Sequence, residues 1–241
     1  MHISEKKSKI KSNIKYNPGL YVVSTPIGNL EDITFRALEV FKNSDLIFCE
    51  DIRRSLKLMN YYNIKKKLFA YHKFNEKKLT HKILDEIKMG KVISLISDAG
   101  TPCISDPGRE AINECLKSGI KVYPIPGPSS VTSALSVSGM DGKFFFYGFL
   151  PQKNKEIERD LSNLKNINAS IIFFVSPQKI KSFVSLIKKY FSNQEIFIAR
   201  EMTKVHEDYI RTNILNLNES DILDKGEITV ILSNFQNEKR D

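Results

Sequence analysis

The sequence predicts an α/β protein of two α/β domains, the first built on a mostly parallel sheet and the second on a mixed sheet. Three observations carry this. Between Leu20 and Ser138, short apolar runs alternate with amphipathic helical stretches, the pattern of a parallel sheet. Near Gly139-Met140-Asp141-Gly142 the character changes, connections shorten, and Asp208-Tyr209-Ile210-Arg211 reads as an antiparallel strand. The length of 241 residues suits one large or two small domains, and a hydrophobic content of 41% is enough for packed cores. The expected division is an arm over 1–17, domains over 18–130 and 131–235, and a tail over 236–241.

Each element has its own signal. Leu20-Tyr21-Val22-Val23-Ser24 is the first expected strand, and a helix from Asp32 to Lys42 carries Phe35, Leu38 and Phe41 on one face. Asp45–Cys49 is the second strand, Arg53–Tyr62 a helix, and Leu68–Tyr71 a short strand. Asn75–Met89 places Leu79, Ile83 and Ile87 at i, i+4 spacing, with Gly90 as its stop. The β-branched run Val92–Ser97 reads as a buried parallel strand. A helix over Pro107–Ser118 is expected to start with Asp106 as N-cap and Pro107 at its first position. Lys121–Ile125 is the next strand, and a helix of small residues runs to Ser138. In the second half, strands are expected at 144–147, 170–175, 195–200 and 228–233, with helices over 153–164 and 178–190.

Composition bounds the function. The formal net charge of +9 points to a polyanionic partner such as RNA. The clustered cations are Lys6, Lys7, Lys9, Lys11 and Lys15 in the arm, then Arg53-Arg54 and Lys65-Lys66-Lys67. Solvated surface is the ordinary alternative for such runs. The arm has no apolar core and does not read as a signal peptide, and no apolar run is long enough to span a membrane. Cys49, Cys103 and Cys115 form no CxxC pair and fit reduced thiols of a cytoplasmic protein, and no zinc-ligand pattern is present.

The loops after the strands are rich in Pro, Gly, Ser and Asp, and lie at 25–30, 97–108, 126–130, 176–177 and 200–204. Ligands of open α/β sheets bind beyond the carboxyl ends of strands, so these loops are the expected ligand edge. Turn chemistry alone accounts for any one of them. The segment after the first strand is not GxGxxG, and neither GxxxxGK[ST] nor GxSxG occurs.

As a set, these segments resemble the ribosomal RNA small subunit methyltransferase I family. The residues that carry the resemblance are Leu20–Leu30, Ser97–Pro102 with Ser105–Gly108, Pro124–Ser129, Gly148–Pro151, and Ala199–Lys204 with His206-Glu207. The resemblance runs in order from residue 20 to about 233. It implies a tetrapyrrole methylase-like fold with the cofactor cleft between two α/β domains. It implies S-adenosylmethionine-dependent 2′-O-methylation of a cytidine ribose in the decoding region of 16S rRNA, by a cytoplasmic homodimer without a metal. Carried over by position, the cofactor site comprises Pro26, Ser97, Asp98, Thr101, Ser129, Ser130, Val175 and Met202.

For chemistry, the candidates are Asp51, His72, Glu201, Lys204 and His206, because the reaction needs a group to help deprotonate a weakly acidic hydroxyl. Lys204, Glu201 and Asp51 are favoured as catalytic because they lie just past strand ends. Lys204 would stabilise developing alkoxide charge, and Glu201 would orient it or accept the proton. Lys6, Lys7, Lys9, Lys11, Lys15, Arg53 and Arg54 are the expected RNA contacts within the small ribosomal subunit. One departure stands out: the family's Tyr-Glu-Ser-Pro is Phe174-Val175-Ser176-Pro177 here, without the carboxylate. Two other classes share some of these features. A tetrapyrrole methylase acting on a small molecule would share the fold, but it normally has a glycine-rich first loop. A non-catalytic RNA-binding protein would explain the charge but not the strand-end loops.

Overall fold

A computed structural model describes residues 16–140, 142–191 and 193–235. The first sheet contains β1 (Gly19–Val23), β2 (Leu46–Cys49), β3 (Lys67–Ala70), β4 (Val92–Ile96) and β5 (Val122–Ile125) in the order β3-β2-β4-β1-β5. All its pairings are parallel. The second sheet contains β6 (Phe144–Phe149), β7 (Ser170–Val175), β8 (Glu195–Arg200), β9 (Asp208–Asn213) and β10 (Ile228–Ser233), ordered β6-β7-β10-β8-β9. Only β6 and β7 are parallel, so this sheet is mixed.

Burial decides which helices cover which face. Strand β4 is buried along its whole length at the centre of the first sheet. On one face, Ala37, Val40 and Phe41 of α1 (Phe35–Asn43) and Leu58 and Met59 of α2 (Ile52–Tyr61) pack on Tyr21, Val23, Ile47 and Ile96. On the other, Ile83 and Ile87 of α3 (Glu76–Lys88) and Ala111 and Cys115 of α4 (Arg109–Lys117) pack on Leu20, Phe48, Ile93 and Leu95. The second sheet buries one face under α6 (Asn154–Leu164) and α7 (Ile180–Tyr190). Its other face receives α5 (Ser130–Ser138) and Ile27, whose neighbours are Ile172, Phe197, Ala199, Met202 and Ile231. The small residues of α5, including Ala134 and Ser138, let its backbone lie close to β10.

Two helix starts differ from the sequence expectation. Helix α1 begins at Phe35, capped by the Thr34 hydroxyl, after a separate 3-10 turn over Leu30–Asp32. Helix α4 begins at Arg109, not Pro107, and Asp106 does not cap it. Gly108 precedes it at φ 129, outside the helical region, so Pro107 belongs to the loop. The freed segment, 97–108, also holds Gly100, Cys103 and Ser105 at φ 75, 70 and 67. Two of those are not glycines, which marks a loop whose shape is imposed by its surroundings. The described helices include none long and apolar enough to cross a membrane.

The two sheets touch where the first loop reaches the turn after β8. Asn29 N–H donates to Thr203 Oγ1 at 3.1 Å. A Cβ at Gly28 would lie 2.5 Å from Lys204 Cγ, 2.6 Å from Thr203 Oγ1 and 2.9 Å from Met202 O. That crowding involves backbone and a side-chain stem, neither of which can swing away. Gly28→Ala is therefore expected to destabilise the protein by about 2 kcal/mol, the usual scale of overpacking. Urea unfolding checks this; an unchanged midpoint would contradict the contact.

Candidate active site

The three loops that leave the first sheet beside its centre are joined to one another. Thr25 N–H donates to Gly100 O at 2.9 Å, and Gly100 N–H donates back to Thr25 O at 3.0 Å. Thr101 Oγ1 donates to Pro128 O at 3.1 Å and is 2.9 Å from Ser24 Oγ. With its proton committed to Pro128, Thr101 accepts from Ser24. The ends of β1, β4 and β5 thus form one hydrogen-bonded floor.

Over this floor lies the edge of the second sheet. Strand β10 is antiparallel to β7 and β8, with Ile228 opposite both Val175 and Arg200. The start of β10 therefore meets the ends of its two neighbours. Between the sheets is a cleft of about 370 Å³, a volume in the range of small-molecule sites. Its first-sheet wall includes Ile27, Glu50, Arg54, Asp98, Thr101 and Asp106, with Ser129 and Ser130 at the start of α5. Its second-sheet wall includes Phe149, Phe174, Val175, Met202, Glu227 and Ile228.

The cleft is acidic although the protein is basic. Among the described residues, four carboxylates line it, Glu50, Asp98, Asp106 and Glu227, with Arg54 as the lining cation. Arg54 Nε is 3.5 Å from Asp98 Oδ2, and Asp98 Oδ1 accepts from Asp51 N–H at 2.9 Å. Burial raises the Asp106 pKa to about 7, with the charge of Glu50 adding to the effect. Burial, then Asp98, likewise pushes Glu50 above the usual carboxylate range. Burial also raises Asp98, against the opposing Asp51 amide and Arg54. Such mutual repulsion is relieved by a cationic ligand. Among the described residues, no group of three or more His, Cys, Asp or Glu is arranged to hold a metal ion.

Of the eight positions expected to hold the cofactor, six line the cleft: Asp98, Thr101, Ser129, Ser130, Val175 and Met202. Pro26 and Ser97 do not; both are buried behind it, and Ser97 Oγ donates to Ala99 O at 3.2 Å.

The three favoured catalytic residues lie outside the cleft wall. Asp51 caps α2 through Arg53 N–H at 2.8 Å and pairs with the Arg53 guanidinium at 2.6 Å. Arg53 thereby holds the Asp51 pKa down at about 2, which leaves a weak proton acceptor. Lys204 Nζ bridges Glu201 at 2.7 Å and Glu227 at 3.0 Å. Glu201 also accepts the Glu227 N–H at 2.8 Å. Burial opposes both charges, but the pairing wins: the Lys204 pKa is raised and the Glu201 pKa lowered. Through this lock Lys204 and Glu201 set the position of Glu227, which does face the cleft.

His72 lies outside the cleft wall too, its backbone N–H bonded to Asn75 Oδ1 at 2.8 Å. His206 is exposed. Of the expected RNA contacts, Arg54 enters the cleft and Arg53 is exposed beside it. Lys6, Lys7, Lys9, Lys11 and Lys15 lie outside the described residues.

Sequence reasoning overlooked Glu227, Ile228 and Phe149 as cleft residues and took Asp106 for a helix cap. The signal for Asp106 was its place in a loop with a second acid, Asp98. Glu227 and Ile228 become visible only once β10 is known to run antiparallel to β7.

Comparison with known proteins bears on the family and the fold. Residues 19–218 match the family model described as Tetrapyrrole (Corrin/Porphyrin) Methylases. Ribosomal RNA small subunit methyltransferase I of Thermotoga maritima is 47% identical over 217 residues, covering 89% of this chain and 97% of that protein. The protein of the same name from Bacillus subtilis is 41% identical over 227 residues, covering 92% and 77%. Among solved structures, diphthine synthase superposes with a TM-score of 0.67 at 14% identity, covering 89% of each chain. Uroporphyrin-III C-methyl transferase from Thermus thermophilus, complexed with S-adenyl homocysteine, gives 0.64 at 15% identity, covering 89% of this chain and 97% of that one. The two structural likenesses bear on the fold alone.

The raised Asp106 pKa has a consequence for stability. Between about pH 4 and 7 the folded protein keeps a proton that the unfolded chain releases. The contribution of this carboxyl is full below about pH 4 and is lost as pH rises through about 7. Asp106→Asn removes that loss, so the variant gains on the wild type from pH 5 to pH 8. Urea unfolding at the two pH values measures the gap. An equal difference at both would contradict the assignment.

Proposed function

Since the chain belongs to the ribosomal RNA small subunit methyltransferase I family of tetrapyrrole methylases, we propose that it methylates 16S rRNA, using S-adenosylmethionine, at the ribose 2′-hydroxyl of a cytidine in the decoding region. The observation that carries this reading is the 47% identity to the Thermotoga maritima enzyme over 97% of that protein's length. We propose further that it works in the cytoplasm as a homodimer bound to the small ribosomal subunit.

The residues present fit the cofactor. S-adenosylmethionine brings a methyl group on a positively charged sulfur, together with an ammonium group, a carboxylate, ribose hydroxyls and an adenine. A cleft with four carboxylates and one lining arginine favours those positive charges. Ser129, which makes no side-chain cap hydrogen bond, and the open first turn of α5 offer donors to polar groups. Ile27, Phe149, Phe174, Met202 and Ile228 supply the apolar surface that an adenine needs and exclude water.

Within that setting each residue has a task. Asp106 lines the cleft with its pKa raised to about 7 by burial, and once the cationic cofactor has displaced its proton the carboxylate is placed to accept a proton from the 2′-hydroxyl. Lys204 and Glu201 act as positioning residues that hold Glu227. Arg54 steadies Asp98, and Asp51 fixes the start of α2.

Radiolabelled S-adenosylmethionine and small ribosomal subunits test this reading. The label is expected on one cytidine ribose, with an adjacent linkage that resists alkali because its 2′-oxygen is blocked. Asp106→Asn is expected to slow single-turnover transfer by about a hundredfold, the scale of lost general-base catalysis. Label on a base, or transfer to a tetrapyrrole and not to the subunit, would overturn the proposal.

A further inference from the structure

A large aromatic side chain stands almost wholly in water on the strand-end edge of the first sheet. Phe74 is 95% exposed, in the turn between β3 and α3. This turn is built, not loose. Asn75 Nδ2 donates to Ala70 O at 2.9 Å, and Asn75 Oδ1 accepts from His72 N–H at 2.8 Å. Asn75 N–H in turn donates to His72 O at 2.9 Å. The Phe74 ring meets only the edge of His72, at 6.1 Å between centroids. A ring left in water by folding contributes almost no burial energy to the fold, so packing does not account for an aromatic at this position.

The exposed charges beside it are cationic, while the acid of the turn, Glu76, is half-buried at the start of α3. Lys73, Lys77 and Lys78 flank the ring in sequence, and all three are exposed. Register brings them to the cleft. Cys49 of β2 pairs with Ala70 of β3 in parallel, and Tyr71 N–H donates to Cys49 O at 2.7 Å. The segment after β3 therefore emerges beside the segment after β2, which leads into Arg53 and Arg54. Arg54 lines the cleft. A track of positive charge with one exposed ring thus runs outward from the cleft mouth along the strand ends. The Lys65-Lys66-Lys67 run lies at the opposite end of β3, about 13 Å away for a four-residue strand. Two cations there are occupied: Lys67 and Lys82 sit over the Phe69 ring, at 5.2 and 4.0 Å from its centroid.

We propose that the β3–α3 turn is an RNA-docking surface, in which the Phe74 ring stacks on an unpaired base while Lys73, Lys77 and Lys78 hold the flanking phosphates. An aromatic on a fixed turn among cations is the arrangement that binds single-stranded RNA with little sequence preference. The surface would hold the strand that carries the target ribose, and so it rests on the rRNA-methylating reading given above.

Fluorescence anisotropy with a labelled single-stranded RNA oligonucleotide tests the surface without relying on catalysis. Phe74→Ala is expected to weaken binding about tenfold, Phe74→Leu nearly as much, and Phe74→Trp hardly at all, since stacking and not bulk is at stake. Lys73→Ala combined with Lys77→Ala is expected to flatten the dependence of log affinity on log salt by about one to two units. Because all three side chains are exposed, melting temperatures should not move. Methylation of small subunits is a second arm, in which Phe74→Ala raises KM and leaves kcat and cofactor affinity unchanged. If wild type binds RNA through Phe74 but methylates no subunit, the functional reading fails and the surface stands. Wild-type affinity and salt slope in the variants, or no RNA binding by the wild type, would overturn the surface.

Discussion

The reciprocal pair of hydrogen bonds between Thr25 and Gly100 is the constraint on which the site depends. It ties the loop after β1 to the loop after β4, and Thr101 extends the tie to Pro128 and so to α5. Asp98 and Asp106 lie on either side of Gly100 and Thr101, so their separation is set by this stitching and not by their own repulsion. Unconstrained carboxylates would drift apart into water. Held by backbone hydrogen bonds, they remain in the cleft, where burial above all, with the charge of Glu50 adding to it, raises the Asp106 pKa to about 7. The positive φ values at Cys103 and Ser105 are consistent with a loop pinned at both ends and bent to fit.

Charge is divided between inside and outside. Among the described residues, a chain with net charge +9 lines its cleft with four carboxylates and one arginine, while cations such as Arg53, Lys73 and Lys77 are exposed. Such a division suits an enzyme with two partners of opposite sign, a small cation held within and a polyanion spread over the exterior. Arg54 stands at the boundary, its guanidinium against Asp98 and its neighbour Arg53 in solvent. The Lys204 lock performs a similar service on the other wall, where it fixes Glu227 without itself entering the cleft.

Much of the fold was legible because parallel strands such as Val92–Ile96 are apolar but for one serine, Ser94, and lead into loops rich in Gly, Pro and Asp. The antiparallel nature of β9 was legible from the short connection that follows β8. The strand-end loops were legible as a ligand edge, and Asp98, Thr101, Ser129 and Met202 were found there. Other parts were hidden for physical reasons. Asp106-Pro107 carries the local signature of a helix start, yet the tertiary bend at Gly108 overrides it and turns a cap into a cleft carboxylate. Glu227 has no local signal, since its place depends on how β10 inserts between β7 and β8. The pairing of Lys204 with Glu201 was legible from their spacing, but sequence could not show that Glu227 engages Lys204 as well. Phe74 was invisible as a feature because exposure is a property of the folded turn.

The central claim is that crowded carboxylates in the cleft receive a cationic methyl donor, and that one of them must lose its proton to do so. Calorimetric titration of S-adenosylmethionine at pH 6.5, in two buffers of different ionisation enthalpy, counts the protons released on binding. The account predicts a release of roughly half to three-quarters of a proton per site, as the incoming charge depresses the pKa of the group that titrates near 7. It also predicts that most of this release disappears in Asp106→Asn. Binding with no proton exchange in the wild type would contradict it.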